Sequence, residues 1–519
     1  MHTGIPAAYD DNSPRLHSKS SGEYTDETIS RDYSTSGPLS RNAQKLSINV
    51  DHRRKDSLQF PKFFPYTCSM EPLEADLTRL FTTAVAAVDP ASLVRGALSL
   101  EGDRLTIRAK DTHLRCDLSS FREVWVLAAG KAACPMARAA EEILGDRITD
   151  GLVVTKYGHA SHLRRLPVKE AGHPVPDERS LEAGEAFLRL ASRADDHALV
   201  LILLSGGASS LLAHPYRDDR IALTPEDLTA ATQTLLACGA PIQEVNCLRK
   251  HLSGLKGGRL ARALFPARSY TLVLSDVIGD DLSAIASGPT VPDPTTFADA
   301  LAIVDRYGIA DRLPPRVRTL LEAGARGEVP DTPKPGDPVF EQASTLIIGN
   351  NLTALEAAAA EARRRGYTPL ILTAGLEGEA RQLAHLFAAL IRDILRGIPL
   401  SPPCCILAGG ETTVTVTGNG TGGRNQEMTL AVLLSLLTRP PSRPAGFLSG
   451  GTDGTDGPTD AAGGLITPRI LERARPHLSR LRAALADNDA YHALASLDAL
   501  LITGPTGTNV CDIQIVLVP

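Results

Sequence analysis

Aromatic side chains are scarce in this chain, at 4% of 519 residues with a single tryptophan, Trp125. Few rings are left to stack nucleobases. An excess of positive charge is absent too. The net charge is −6, so no global field favours nucleic acid or an anionic membrane. None of the eight cysteines stands in a C-x-x-C pair. Their irregular spacing predicts free thiols in a reducing compartment rather than a disulfide framework. The longest uncharged stretch, 198–216, is interrupted by SGGASS, which suits a buried strand and its loop rather than a membrane span. The opening MHTGIPAAYDD lacks the apolar core of a secretory signal, and Asp10, Asp11, Glu23, Asp26 and Glu27 argue against a mitochondrial leader. The expectation is a cytoplasmic protein.

What is present is globular. Hydrophobic residues make up 43% and charged residues 22%, close to the average for folded domains. Residues 1–69 are rich in Ser, Asp and Arg with few periodic apolar positions, and read as a disordered tail. From Glu71 the spacing predicts a helix. Strand candidates follow at 124–129, 151–155, 198–204, 270–275, 345–349, 369–373, 404–409, 413–417, 500–503 and 513–518. Helices are predicted over 132–144, 180–191, 224–238, 351–365, 377–396 and 425–437. Apolar strands alternating with amphipathic helices predict an α/β fold with buried parallel sheet. The linker 328–340, EVPDTPKPGDPVF, carries four prolines. It divides the folded part into expected domains at 70–330 and 340–519.

Glycines gather at the strand ends. Seven apolar stretches, six of them the candidate strands above, run into small polar turns, in LAAGKAA, LLSGGASSL, LSDVIGDD, IIGNN, LAGGETT, LSGGTDGTDG and LITGPTGTN. Ligands of open α/β sheets bind beyond the carboxyl ends of the strands. Glycines there let backbone N–H groups approach an anion. Such an arrangement predicts a cleft for a phosphorylated ligand.

The pattern of a P-loop is missing. Upstream of Gly130–Lys131 the required glycine position holds Trp125, and the next residue is Ala132. Gly418, Gly420 and Gly423 do form a G-x-G-x-x-G. The strand before it alternates in polarity, and Arg443 stands where a dinucleotide site would place an acid.

Charged residues refine the picture. Lys131 follows a buried strand and opens a helix, where its ammonium can meet a phosphoryl group. The stretch 245–261 predicts one helical face carrying Asn246, Arg249, Lys250, Ser253 and Lys256, a candidate anion site. Arg424 and Asn425 stand at a predicted helix start beside glycines, and an arginine there suits a bidentate phosphate clamp. Ser205, Gly206, Gly207, Ser209 and Ser210 of SGGASS, with Gly409, Gly410 and Glu411, are further candidates for binding substrate or phosphate. Asp276, Asp280 and Asp453 are candidate Mg²⁺ ligands, since Mg²⁺ near phosphates needs only one or two carboxylates.

Together these motifs resemble the glycerate 2-kinase family, whose C-terminal half is the MOFRL domain. The matching stretches include VLAAGKAACPMA, EAGHPVPDERSLEAG, LLSGGASSLL, NCLRKHLSGLKGGRLA, LAGGETTVTVTGNGTGGRNQE and GPTGTNVCDIQI, and they cover about residues 72–518. The resemblance implies an N-terminal Rossmann-like α/β domain with a parallel sheet, a C-terminal α/β domain, and an active site between them. It implies transfer of the ATP γ-phosphoryl group to the 2-hydroxyl of D-glycerate, with the family's active-site lysine at Lys131 and its arginine at Arg424. Asp276 or Asp453 would position Mg²⁺ or accept the hydroxyl proton. The expected partners are these small molecules alone, with the chain a monomer or homodimer. The alternatives are a hydroxypyruvate reductase using the G-x-G-x-x-G and NADH, or a non-catalytic sugar-phosphate sensor.

Overall fold

The computed structural model describes residues 72–519 apart from 111 and 395. The expected tail, 1–69, lies outside the described residues.

The first helix, Pro72–Ala87, buries Leu73, Leu77, Leu80, Phe81 and Ala84, an apolar stripe at helical spacing. A short helix, Pro90–Ala97, follows, capped by the Asp89 carboxylate on the N–H of Ser92. Next comes an antiparallel meander of β1 (Leu98–Glu101), β2 (Arg104–Ala109) and β3 (Thr112–Asp117).

The main sheet of the first half contains β4 (Glu123–Ala129), β5 (Asp150–Lys156), β6 (Val168–Ala171), β7 (Ala198–Leu204), β8 (Arg268–Leu274) and β9 (Ala343–Gly349). Their spatial order is β6-β5-β4-β7-β8-β9, and every pairing is parallel. The inner strands are apolar throughout because helices cover both faces. This is the doubly wound order of dinucleotide folds, and the direction of winding reverses between β4 and β7. A crevice opens at that reversal. β9 follows the proline-rich linker, so the first sheet runs past the expected boundary at 330–340.

Helices Glu178–Ala191, Pro225–Ala237, Phe297–Arg306 and Asn351–Arg364 each begin in a reciprocal capping box. Side chain and backbone there satisfy each other's free donors, which fixes where the helix starts.

The second half holds β10 (Thr368–Leu376), β11 (Cys404–Gly410), β12 (Gly446–Gly451), β13 (Gly463–Ile466), β14 (Leu500–Leu501) and β15 (Asp512–Val518). The order is β10-β11-β15-β12-β13-β14, with only β10 and β11 parallel. The expected strand at 413–417 is not part of a sheet. Thr415 turns its backbone N–H and hydroxyl to the Glu379 carboxylate, and the Thr417 N–H goes to Asn488.

One apolar core runs through both halves, from Val126 and Leu201 to Ile406 and Ile515. The first helix contributes to the second half. Its Glu74 bonds Arg469, and Asp76 bonds Tyr367 and Arg365. All seven described cysteines are free thiols. Among the described residues no helix is long and apolar enough to cross a membrane.

Candidate active site

The crevice at the reversal is closed at its base by two strand-end turns in direct contact. Gly130 ends β4 at φ +132°, and a Cβ there would collide with Ser205 Oγ. Only glycine permits that approach. The Lys131 N–H then donates to Gly206 O at 2.8 Å, the Ala132 N–H to Ser205 Oγ at 3.0 Å, and the Ser205 N–H to Ala129 O at 3.1 Å. Lys131 is thus held by its backbone while its side chain stays half-buried. A Cβ at Gly206 would strike the carboxylate of Asp276, which follows β8. A Cβ at Gly207 would lie 2.9 Å from the His173 ring and 3.3 Å from Lys131 Cγ. Two glycines therefore bring Lys131, His173 and Asp276 around one loop.

The cavity above this loop measures about 190 Å³ and is lined by Lys131, Lys156, His159, Ser205 and Gly206 from the first half, with Asp453 and Asn509 from the second. Its charge is mostly positive. Burial, then the charges of Lys131, Lys156 and His159, hold the His173 imidazole down at about 4. Burial and the neighbouring Lys131 lower Lys156, which Asp453 partly offsets. Burial raises the Asp276 carboxyl, and the Glu411 charge adds to this against the pull of Lys131. Asp276 thus feels one charged group from each half.

In the second half, Arg424 opens the helix Arg424–Thr438 and lines a separate cavity with Glu411 and Asp456. Its Nε and Nη2 donate to the two Asp512 oxygens at 2.6 and 3.0 Å, and its Nη1 meets Glu411 at 2.9 Å. Burial opposes the guanidinium charge, but Asp512, Glu411 and Asp456 outweigh it and hold the pKa above its ordinary value. The fork expected to clamp phosphate is therefore filled by Asp512. The Nη1–Nη2 edge, shared with Glu411, is what remains. Asp456 accepts the N–H groups of Asn425 and Gln426, and burial pushes its carboxyl up to about 6 despite those bonds. The Cys511 thiol, at the start of β15, donates to Asp276 O at 3.1 Å and ties the halves together.

Several expected site residues serve the fold instead. Lys250 donates to Asp293 at 2.8 Å, both side chains being buried, and Thr332 completes the group. The helix Ile242–His251 stops before Ser253 and Lys256, so the expected basic face does not continue along it. Ser253 Oγ bonds His214 O and the N–H of Leu255. Arg249 and Lys256 still face each other, and burial with the Arg249 charge brings Lys256 to about 7. Lys256 precedes Gly257, whose N–H donates to Ser287 O, and Ser287 Oγ meets Ser209 Oγ at 3.0 Å. The segment after Lys256 thus connects through Ser287 to Ser209 of the SGGASS turn. Asn246 is buried in the same helix. Asn425 is buried between Asp456 and Ser449. Gly409 and Gly410 admit Asn351 and Leu376 against β11.

The three expected metal ligands do not converge. Asp276 and Asp280 line a cavity of about 260 Å³ beside Val277, Leu352 and Cys511, whereas Asp453 lines the lysine cavity. Asp280 accepts from Asn350 at 2.5 Å, and Asp453 from the Thr455 N–H at 3.0 Å. Among the described residues no three His, Cys, Asp or Glu are placed to share a metal ion.

Sequence reading gave no role to Lys156, His159, His173 or Asp512, and took Asp456 only as one acid of the GGTDGTDGPTD cluster that could hold Mg²⁺. The clues were a lysine closing an apolar strand, GLVVTK, and an acid opening one, DIQIVLV.

A family model described as a domain of unknown function (DUF4147) matches residues 76–322, and one described as the MOFRL family matches 404–512. Glycerate 2-kinase of Pyrococcus horikoshii is 42% identical over 85% of this chain and 96% of its own. A relative in Agrobacterium vitis whose name proposes a hydroxypyruvate reductase is 43% identical over 85% of this chain and 94% of its own. The crystal structure of glycerate kinase from Thermotoga maritima aligns with a TM-score of 0.74 at 37% identity, covering 86% of this chain and 99% of that one. With 42% identity to a glycerate 2-kinase over 85% of its length and a MOFRL match over 404–512, the chain belongs to the glycerate 2-kinase family.

Proposed function

We propose that the protein transfers the γ-phosphoryl group of ATP to the 2-hydroxyl of D-glycerate, giving 2-phospho-D-glycerate and ADP. One observation carries the reading. Lys131 from the first half and Asp453 from the second line the same small cavity at the topological switch point. A cation and a carboxylate there can serve the two needs of phosphoryl transfer, charge neutralisation and orientation of the hydroxyl.

In this mechanism the Lys131 ammonium neutralises charge on the transferring group. Asp453 accepts the hydroxyl proton as the O–P bond to glycerate forms and the bond to the ADP oxygen breaks. The Ser205–Gly207 turn supplies backbone donors at the floor of the cavity. Arg424, oriented by Asp512, offers its remaining edge to the nucleotide phosphates, and Glu411 yields that edge to them. Asp276 is a desolvated carboxylate with Glu411 close by, a setting that favours a cation. Asp276, with Asp280 on the same wall, would hold Mg²⁺, which needs no third protein ligand when phosphates complete its shell. The ion would supply charge neutralisation on the polyphosphate.

The reductase reading is weaker on physical grounds. A pyrophosphate bound through Gly418, Gly420 and Gly423 would need the free N–H groups at the start of the next helix. Asp456 already takes those of Asn425 and Gln426, and Gly418 and Gly420 pack against Asp487 and Asp489. The test is to incubate the protein with Mg-ATP and D-glycerate and identify the product by ³¹P NMR. A 2-phosphate ester is expected. Oxidation of NADH by hydroxypyruvate without any ester would overturn the kinase reading.

A further inference from the structure

Lys156 lies outside every role assigned above, yet it faces the reaction cavity. The register of the first sheet explains how. β4 and β5 are adjacent and parallel, with Ala129 opposite Val154. Lys156 ends β5 two residues past that pair, Lys131 stands just beyond the end of β4, and the charge of Lys131 reaches Lys156. Both line the cavity of about 190 Å³. Neither ammonium forms an ion pair among the described residues. The cavity holds a single carboxylate, Asp453, and one of its oxygens is already bonded by Thr455. Two cations without an ion pair therefore share a small space lined by a single carboxylate.

The chemistry of the acceptor explains why two are useful. Phosphorylation at the 2-hydroxyl of glycerate puts the incoming phosphoryl group on the oxygen of the carbon bonded to the carboxylate. Two negative groups then crowd one corner of the substrate. A single lysine cannot neutralise both, and the like charges would repel without a second cation. We propose that Lys156 binds the carboxylate of the acceptor and is the residue by which this site selects a 2-hydroxy acid over an uncharged polyol. Lys131 keeps the phosphoryl group. His159, whose Nδ1 lies 3.3 Å from Lys131 O, closes the same side of the cavity. This inference rests on the kinase reading and deepens it.

The experiment measures steady-state kinetics of wild type, Lys156→Met and Lys156→Arg with Mg-ATP and either D-glycerate or D-glyceramide, which lacks the negative charge. Lys156→Met should raise the KM for D-glycerate about 10- to 100-fold, the usual effect of removing a hydrogen bond to a charged group. The KM for ATP should stay unchanged, and the preference for D-glycerate over D-glyceramide should shrink by the same factor. Lys156→Arg should keep most of that preference. A rise in the KM for ATP with that for D-glycerate unchanged would place Lys156 on the nucleotide and overturn the assignment. A fall in kcat alone would overturn it as well, by placing Lys156 on the transferring group. If Lys156→Met does not fold, Lys156→Gln with D-glycerate and ATP titrated separately by calorimetry makes the same distinction. Absence of turnover by the wild type would instead break the kinase reading, and the carboxylate role with it.

Discussion

The two halves of the molecule present their cations to the cleft in opposite ways. On the parallel sheet, Lys131 and Lys156 emerge at strand ends with no carboxylate paired to either among the described residues. On the mixed sheet, Arg424 is pinned by the fully buried Asp512 and touched by the exposed Glu411. Unpaired lysines leave their charge available to a ligand, and burial, with the repulsion of Lys131 added, lowers Lys156. The paired arginine is fixed in orientation, and less of its charge is free. One side of the cleft is arranged to bind, the other to aim.

That contrast is open to attack from several directions. The largest effect is expected at Lys131. Lys131→Ala should lower kcat about 10²- to 10³-fold, while the urea midpoint stays that of the wild type because no ion pair is lost. A normal kcat would remove Lys131 from the mechanism. Asp512→Ala should reverse the balance. It strips the buried partner from Arg424 and should destabilise the fold by about 2–4 kcal/mol, measured by urea unfolding, with kcat falling as well because the guanidinium is no longer aimed. Glu411→Gln probes the exposed end of the same network. Its pair with Arg424 is half in water, so the loss of stability should stay under about 1 kcal/mol.

The smallest effects are in pH dependence, and their signs differ between the halves. His173 titrates at about 4 in the fold against an ordinary 6.5. The unfolded chain then binds the extra proton, so the His173 contribution is intact above 6.5 and is lost as pH falls toward 4. Asp456 is shifted the other way, from 3.8 to about 6. The folded chain binds the extra proton, so its contribution is present below 3.8 and is lost as pH rises through 6. Between pH 4 and 6 the two slopes oppose each other. His173→Asn should make the protein relatively more resistant to acid, and Asp456→Asn relatively less, in thermal melts across that window. Slopes of the same sign would show that one assignment is wrong.

The inner strands of the parallel sheet were readable because they are mostly apolar and the helices carry their own caps, as in Thr224–Asp227 and Asn350–Thr353, whereas the edge strand VKEA was not. β12 and β13 were not anticipated. GFLSGG and GGLI have too little side chain to look like strands. Their glycines answer to distant partners, Gly450 to the Phe81 ring and Gly463 to Ser449 O. The stretch 413–417 misled for the converse reason. Its alternation is strand-like, but its donors are claimed by Glu379 and Asn488. At the site, local context singled out Lys131 and Arg424 as candidates. Asp512 was hidden because it pairs with Arg424 across 88 positions of sequence. Lys156 was hidden because its value depends on the register of β4 against β5.

The helix Pro72–Ala87 packs against β12 and the core of the second sheet, with Leu77 beside Gly446 and Phe81 beside Gly450. During synthesis this helix leaves the ribosome long before β12 exists. At about 5–20 residues per second its apolar stripe must wait on the order of tens of seconds for a partner. The doubly wound sheet can assemble in the meantime, and the helix Asn351–Arg364 reaches this one before β12 does, so its stripe is covered in two stages. Throughout that interval it is a natural handle for a chaperone.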